Sequence, residues 1–484
     1  MDLKDKKRTR REFLIKSGQT AMGGLAAPWL INMAGMSEAA AFSASDYKAL
    51  VCVFLYGGND YANTVVNFDN TTYGKYFAIR GASSVFIQQS ALKATELLPT
   101  VPLGNGVKYA LHPSMTGLAG LFNSGKAAVQ LNVGPLIVPL TRAQYNLNNF
   151  RNFPLPPKLF SHNDQVSTWQ SFATEGATVG WGGKIGDLAT GNNSDPLFTC
   201  VSVTGNNVFM SGVSTPQYNL SSTGSAILVN PATSTFFVQP ELRTAFVTML
   251  QQQRTHQLEN TYTTVTRHSM TSAAMINTGI NAVAMKTVFP SNSNLASQLK
   301  TVAQLIGARN SIGAKRQVFM VSLGGFDLHD YLDTRHAPLL QQLDQALTAF
   351  YQATVELGVA NQVTAFTASD FGRTLSVNGD GSDHGWGSHH LVVGGAVQGK
   401  AFYGKVPPVS VGNSTTLPDD QWHVGQGRLL PSTSVDQFAA TLAKWYGVTD
   451  PELQLLLPNI KNFGVAGGRP DYPVNLGFLG GPII

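Results

Sequence analysis

Residues 364–395 read TAFTASDFGRTLSVNGDGSDHGWGSHHLVVGG, and the rest of the chain is understood from this stretch. The run Val363 to Phe366 before Asp370, and Leu391, Val392 and Val393 after His390, have the unbroken apolar character of short buried strands bounded by Gly and Ser. The polar residues between them therefore fall at strand ends. In open α/β sheets ligands bind just beyond the carboxyl ends of strands, so Asp370 stands where a site is expected. Asp370, Asp383, His384, His389 and His390 lie within 21 residues, in a chain with only 10 histidines. Carboxylates and neutral imidazoles together are ligands of divalent metals such as Zn, Mn or Fe. Gly379, Gly381, Gly385 and Gly387 leave the backbone free to fold such ligands inward. The plainer reading is a polar surface loop, but five acid or imidazole groups this close together favour a metal or catalytic site.

The same signal recurs outward from this stretch. Residues 48–56, KALVCVFLY, form a continuous apolar run of the kind buried on both faces of a parallel sheet, and they end in Gly57-Gly58-Asn59-Asp60. Asp60 is thus either a ligand at a strand end or part of an ordinary turn. Residues 316–323 form another such run, leading into Gly324-Gly325-Phe326-Asp327-Leu328-His329, where Asp327 and His329 can chelate one ion from a tight turn. A helix is expected over 336–357 with Pro338 in its first turn, so strand, helix and strand make a right-handed unit placing Asp327 and Asp370 on one rim. Arg373 is the cation best placed for an anionic substrate or for an ion pair with a site carboxylate.

Elsewhere the spacing predicts a helix over 114–123 after a structural His112, a strand over 126–133, a helix from 162 through Trp169, a short helix from Trp181 and a strand over 197–203. Ser161, with Asp164 three residues on, reads as a helix cap or as a nucleophile at a helix N-terminus. Residues 204–235 are rich in Ser, Thr, Asn and Gly, and helical patterns follow over 240–284 and 295–306, so 204–310 is expected to be an insertion with a helical subregion. A last amphipathic helix is expected over 434–446.

The N-terminus carries Arg8-Thr9-Arg10-Arg11-Glu12-Phe13-Leu14 before a mild apolar run broken by Gly23, Gly24 and Pro28 and ending at Ala39-Ala40-Ala41. This is the pattern of a twin-arginine leader over 1–41, followed by a mature chain over 42–484 that uses the Tat translocase as a transient partner and is periplasmic or secreted. The leader holds seven Lys/Arg against four Asp/Glu, so of the formal +5 about +2 remains after it. No basic patch with interleaved aromatics is left for nucleic acid, and no later apolar run is long enough to span a membrane. Cys52 and Cys200 are the only cysteines, and Cys52 reads as a small buried hydrophobe, not half of a disulfide.

The leader, the strand into Gly-Gly-Asn-Asp, Ser161-His162, Gly324-Gly325-Phe326-Asp327-Leu328-His329, Arg335-His336-Ala337-Pro338, Ser369-Asp370-Phe371-Gly372-Arg373-Thr374 and Asp383-His384-Gly385 together resemble the exported family catalogued as domain of unknown function 1501. That family is similar to a branch of the alkaline phosphatase, sulfatase and phosphoglycerate mutase superfamily. The resemblance implies a doubly wound, mostly parallel α/β sheet carrying one or two divalent ions (Zn, Mn, Ca or Mg). Its ligands would be Asp60, Asp327, His329, Asp370 and one of His389 and His390. Phe371 stands where the superfamily commonly has a histidine after the aspartate, so His384 is expected to fill that place. The function implied is a metal-dependent hydrolase of phosphate or sulfate esters acting on a small anionic ester. From their own placement, Ser161 is the candidate nucleophile and Arg373 the candidate for the substrate oxygens. The competing expectation is a non-catalytic exported binding or envelope-assembly protein on the same fold.

Overall fold

The structure, a computed structural model, describes residues 44–222, 239–252 and 255–480. The leader expected over 1–41 lies outside the described residues. The strands are β1 (Lys48–Leu55), β2 (Val65–Asn67), β3 (Tyr109–Leu111), β4 (Ala127–Gly134), β5 (Cys200–Ser202), β6 (Tyr218–Asn219), β7 (Arg316–Leu323), β8 (Val363–Ser369), β9 (Ser388–Gly394), β10 (Phe402–Tyr403) and β11 (Thr433–Ser434). The helices are α1 (Tyr61–Thr64), α2 (Asn70–Arg80), α3 (Thr116–Asn123), α4 (Arg142–Asn146), α5 (His162–Ser171), α6 (Trp181–Ala189), α7 (Pro240–Gln251), α8 (Gln257–Ala282), α9 (Asn294–Gly307), α10 (Leu332–Glu356), α11 (Val435–Tyr446) and α12 (Asp450–Leu456).

Nine strands form one sheet in the order β10-β4-β9-β8-β1-β7-β5-β6, with β11 beside β4, while β2 and β3 pair separately. The centre is parallel, and β1, β7 and β8 are buried along nearly their whole length, which suits strands covered by helices on both faces. The mixed α/β class with a mostly parallel sheet follows directly from these runs. Helix α10 carries the chain from β7 past β1 to β8, burying Leu340, Leu343, Leu347 and Phe350. It starts at Leu332, four residues before the expected start, so Pro338 lies within the helix and not in its first turn. The backbone amide of Leu332 is taken by the Asp380 carbonyl, which anchors this early start to the loop before β9.

Register positions the site. Leu55 of β1 is level with Leu323 of β7 and Ser369 of β8, so the loops after all three strands leave the sheet side by side. Strand β9 is the one strand of this sheet, among the described residues, that runs antiparallel to its neighbours. The chain between β8 and β9 therefore stays on that same rim, and His384 arrives there without any crossover.

Part of the segment expected to be an insertion belongs to the core. Helix α9 buries Leu295, Leu299, Val302 and Ile306, and β6 extends the main sheet beside β5. Residues 223–238 and 253–254 of that segment lie outside the described residues. Cys52 and Cys200 are both buried free thiols. No helix among the described residues is long and apolar enough to cross a membrane.

Gly57 and Gly58 follow β1 with φ of +114° and +85°, a region that side chains rarely adopt. A Cβ on Gly58 would also lie 2.6 Å from the Phe371 ring. Gly58→Ala is expected to lower the unfolding free energy by about 2–5 kcal/mol, combining backbone strain and overpacking, as read by chemical denaturation. A change within experimental error would show that the β1 and β8 loops are not packed as described.

Candidate metal centre

Two strand-end loops and the start of α5 deliver the side chains. Asp327 follows β7, Asp370 follows β8, His384 lies in the β8–β9 loop, and His162 opens α5. Asp370 accepts from the Gly57 amide at 3.1 Å with one oxygen and meets His162 Nδ1 at 2.7 Å with the other. His162 Nε2 then lies 3.3 Å from Asp327 Oδ2, without the alignment of a hydrogen bond. His384 Nδ1 is 2.7 Å from the carbonyl of Phe160, a residue with a left-handed φ of 72°, and its Nε2 is 3.3 Å from Asp327 Oδ1. His329 Nε2 stands 2.9 Å from His384 Nε2 and 3.1 Å from the same Asp327 oxygen.

These contacts fix tautomers. A carbonyl can only accept, so His384 carries its proton on Nδ1 and turns the Nε2 lone pair toward Asp327. Asp370 likewise takes the Nδ1 proton of His162, leaving Nε2 without a hydrogen-bond partner on the other side of Asp327. Metal-ligating histidines are held in this way, with the far ring nitrogen donating to a carboxylate or a backbone carbonyl. Ligand atoms of His162, Asp327 and His384 all lie within 4.8 Å of one another. Electron-rich atoms crowded around one carboxylate call for a cation among them, so the donor set fits a divalent ion. Two imidazoles and a carboxylate suit Zn²⁺ or a similar first-row metal.

Charge supports the arrangement. Burial opposes ionisation of Asp327, but the Arg373 hydrogen bond and the nearby His162 hold its carboxyl below the usual carboxylate range. The hydrogen bond to Asp370 raises the pKa of His162, whereas burial lowers that of His384. A cleft of about 540 Å³ opens beside the cluster, walled by Tyr56, His162, Asn163, Gln170, Asp327 and Asp370 among others.

The structure thus brings Asp327, His329, Asp370, His384 and Arg373 together and changes the role of Asp370 and Arg373, while His329, expected as a ligand, stays outside the group of three whose ligand atoms lie within 4.8 Å of one another. Asp370 orients His162 where a direct ligand was expected. Arg373 was expected on substrate oxygens, but it is fully buried. Its Nη1 binds Asp327 at 2.8 Å and the Gly57 carbonyl, and its Nε and Nη2 are bound to Ser382, so it positions Asp327 instead.

Three expected residues stand apart, and a fourth, Ser161, is bound to Asp164. Asp60 is 1% exposed and caps α1 through the Ala62 amide while meeting Arg80 at 2.6 Å. Burial disfavours its charge, but Arg80 holds its carboxyl below the ordinary value, so it is already neutralised without a metal. His389 and His390 alternate across β9. The first accepts from the Asn132 amide near Tyr61 and Tyr109, and the second lies against Trp169 and Phe438. Burial pushes both imidazoles down to about 3, which makes them neutral core residues. The Ser161 hydroxyl donates to Asp164 at 2.8 Å.

His162 was not singled out from sequence. Its one visible signal is its place directly after the cap of α5, beside Ser161.

The family model described as a protein of unknown function, DUF1501, matches residues 47–454. The chain belongs to that family. The matched span holds every residue of the cluster, from His162 to His384. No curated protein matches the sequence.

Among solved structures, the chain is similar to Ps i-CgsB in complex with k-i-k-neocarrahexaose, at 11% identity and a TM-score of 0.34, over 89% of this chain and 78% of that one. It is similar to the lipoteichoic acid synthase LtaP from Listeria monocytogenes at 11% identity and a TM-score of 0.30, over 82% and 79%. A third similar structure, described under metabolism of multiple glycosaminoglycans by Bacteroides thetaiotaomicron, has 11% identity and a TM-score of 0.34, over 84% and 74%. Superpositions this loose say nothing about activity.

The two strand-end aspartates are separable by experiment. Asp60→Ala strands the buried Arg80 charge and is expected to cost about 3–5 kcal/mol in urea unfolding, while the metal bound per folded chain stays at the wild-type level. Loss of metal from folded Asp60→Ala would return Asp60 to the ligand set.

Proposed function

We propose that this chain is an exported, metal-dependent hydrolase of phosphate or sulfate esters, with its ion held by His162, Asp327 and His384. The observation that carries the reading is the pair of imidazoles anchored through Nδ1, by Asp370 and by the Phe160 carbonyl, so that both Nε2 atoms face one carboxylate. A divalent ion there supplies Lewis-acid polarisation of the ester and lowers the pKa of water. The ester class rests on the resemblance of the sequence motifs, and the export reading on the leader motif.

The remaining steps fall to the chain's own residues. Arg373 and Asp370 hold Asp327 and His162 against rotation, which keeps the cluster organised before substrate enters. His329 is half-exposed at the mouth, and its Nδ1 lies 3.5 Å from Asp383. His329 Nε2 is placed to give a proton to the departing alkoxide and to recover one from water. With Ser161 Oγ engaged by Asp164, the attacking oxygen comes from water and no covalent ester of the chain forms. The cleft beside the cluster receives the rest of a small substrate.

A second reading, a non-catalytic binding protein on this fold, is favoured by one observation. Among the described residues no hydroxyl or thiol makes a hydrogen bond to Asp327, His162 or His384.

Metal content and turnover decide between the two. Purified protein is expected to hold a divalent ion by elemental analysis and to hydrolyse an aryl phosphate or aryl sulfate. Both properties should be lost in Asp327→Ala and His162→Ala, and metal affinity or activity should fall about 10–100-fold in Asp370→Ala. Ser161→Ala should retain turnover. Neither metal nor turnover in the wild type across Zn²⁺, Mn²⁺, Mg²⁺ and Ca²⁺ would leave the binding-protein reading. Export is checked separately: with Arg10 and Arg11 both changed to Lys, the protein is expected to remain in the cytoplasm with its leader attached, and continued export would refute the leader assignment.

A further inference from the structure

A second cavity, of about 360 Å³, lies beside the start of α4 and the turn before β11, and it shares no lining residue with the cleft at the imidazole cluster. Its only charged lining residues are Arg142 and Lys405. Arg142 is 5% exposed, and its guanidinium is clamped by the Asp420 carbonyl on Nη1 and by Asn413 on Nη2. That clamp leaves the buried Nε–H without a hydrogen-bond partner. The Ser432 hydroxyl, on the same lining, is also buried and unpartnered. Two orphaned donors on one cavity are unusual, since nearly all buried polar groups find a partner.

The third donor is Lys405, whose ammonium rests 4.7 Å above the Tyr472 ring. It lies 3.6 Å from Asp471, but both side chains are about half exposed or more, so water screens that pair and a ligand can compete for the lysine. The nearest acid to Arg142, Asp420, gives its carboxylate to Ser410 and the Ser414 amide and does not line the cavity. The lining therefore offers two positive charges, two buried polar atoms without partners, and an apolar side formed by Leu140, Leu430 and Tyr472.

We propose that this cavity binds a small anionic group, phosphate, sulfate or carboxylate, through Arg142 Nε–H, the Ser432 hydroxyl and the Lys405 ammonium. An apolar body attached to the anion lies against Leu140, Leu430 and Tyr472. The charge sign sets the ligand class, because two cationic side chains favour an anion and repel a cation. The site stands independently of the hydrolase reading.

The test uses purified protein treated with EDTA, at an ionic strength held constant with NaCl. Inorganic phosphate, acetate and the non-hydrolysable phenylphosphonate are titrated in turn, with binding followed by heat and by Tm. Saturable binding of at least one anion is expected, tightest for phenylphosphonate. It should weaken about tenfold in Lys405→Gln, a loss of about 1.4 kcal/mol, and further in the Lys405→Gln/Ser432→Ala double variant. Lys405 is about half exposed and Ser432→Ala removes only a hydroxyl without a partner, so both variants are expected to keep the wild-type Tm without anion. His384→Ala, which alters the imidazole cluster, should bind as the wild type does. Absence of saturable binding overturns the proposal. So does binding that survives in the double variant, and so does binding lost in His384→Ala, which would move the anion to the cluster.

Discussion

A Cβ on Gly57 would lie 2.2 Å from the backbone nitrogen of Asp327, and one on Gly381 would lie 1.9 Å from the His329 carbonyl. The loops around the imidazole cluster are thus pressed together until only hydrogen atoms fit between them. That contact lets the Gly57 amide reach Asp370 and the Gly57 carbonyl reach Arg373. One small residue after β1 thereby braces both the aspartate that orients His162 and the arginine that holds Asp327. The spacing of the ligand atoms follows from backbone packing, so the imidazoles do not need to find one another through flexible side chains.

Two buried arginines divide the strand-end acids into different fates. Arg80 closes on Asp60 and on the carbonyls of Thr374 and Leu375, which ties α2 to the loop after β8. Arg373 closes on Asp327 from beneath and leaves the outer side of that carboxylate facing the histidines. A carboxylate satisfied on every side has no capacity left for a metal, whereas one held from below keeps it. The difference between the two aspartates is thus one of where the cation comes from, and not of residue type or strand position.

That difference explains what the sequence could and could not convey. The strands β1, β7 and β8 are legible because burial on both faces demands unbroken apolar runs, and the acids after them are legible because each follows such a run. Asp60 and Asp327 look alike in sequence because each follows a paired glycine. Arg80 lies 20 residues beyond Asp60 on a helix with no strong apolar face, so nothing local marks it as the partner. His162 comes to the cluster from a loop more than 200 residues away from Asp370, and the Phe160 carbonyl that orients His384 is a backbone atom with no sequence signature. His389 and His390 misled for the opposite reason. They are dense and adjacent, yet alternation along β9 sends them to opposite faces of the sheet and into the core.

The sheet order has a consequence for how the chain reaches this state. Lys48 pairs with Arg316 and Ala49 with Val363, so the central strand is made early in synthesis and both of its partners are made late. Contacts of such long sequence separation are slow to form, because the loop between them must be closed before any of them is gained. Until residue 323 has left the ribosome, β1 is an apolar segment with two bare edges, and one edge stays bare until residue 369, the kind of surface that aggregates or recruits chaperones. The middle of the molecule is therefore the last part to be completed, and the rim that carries the histidines closes only when nearly the whole chain is present.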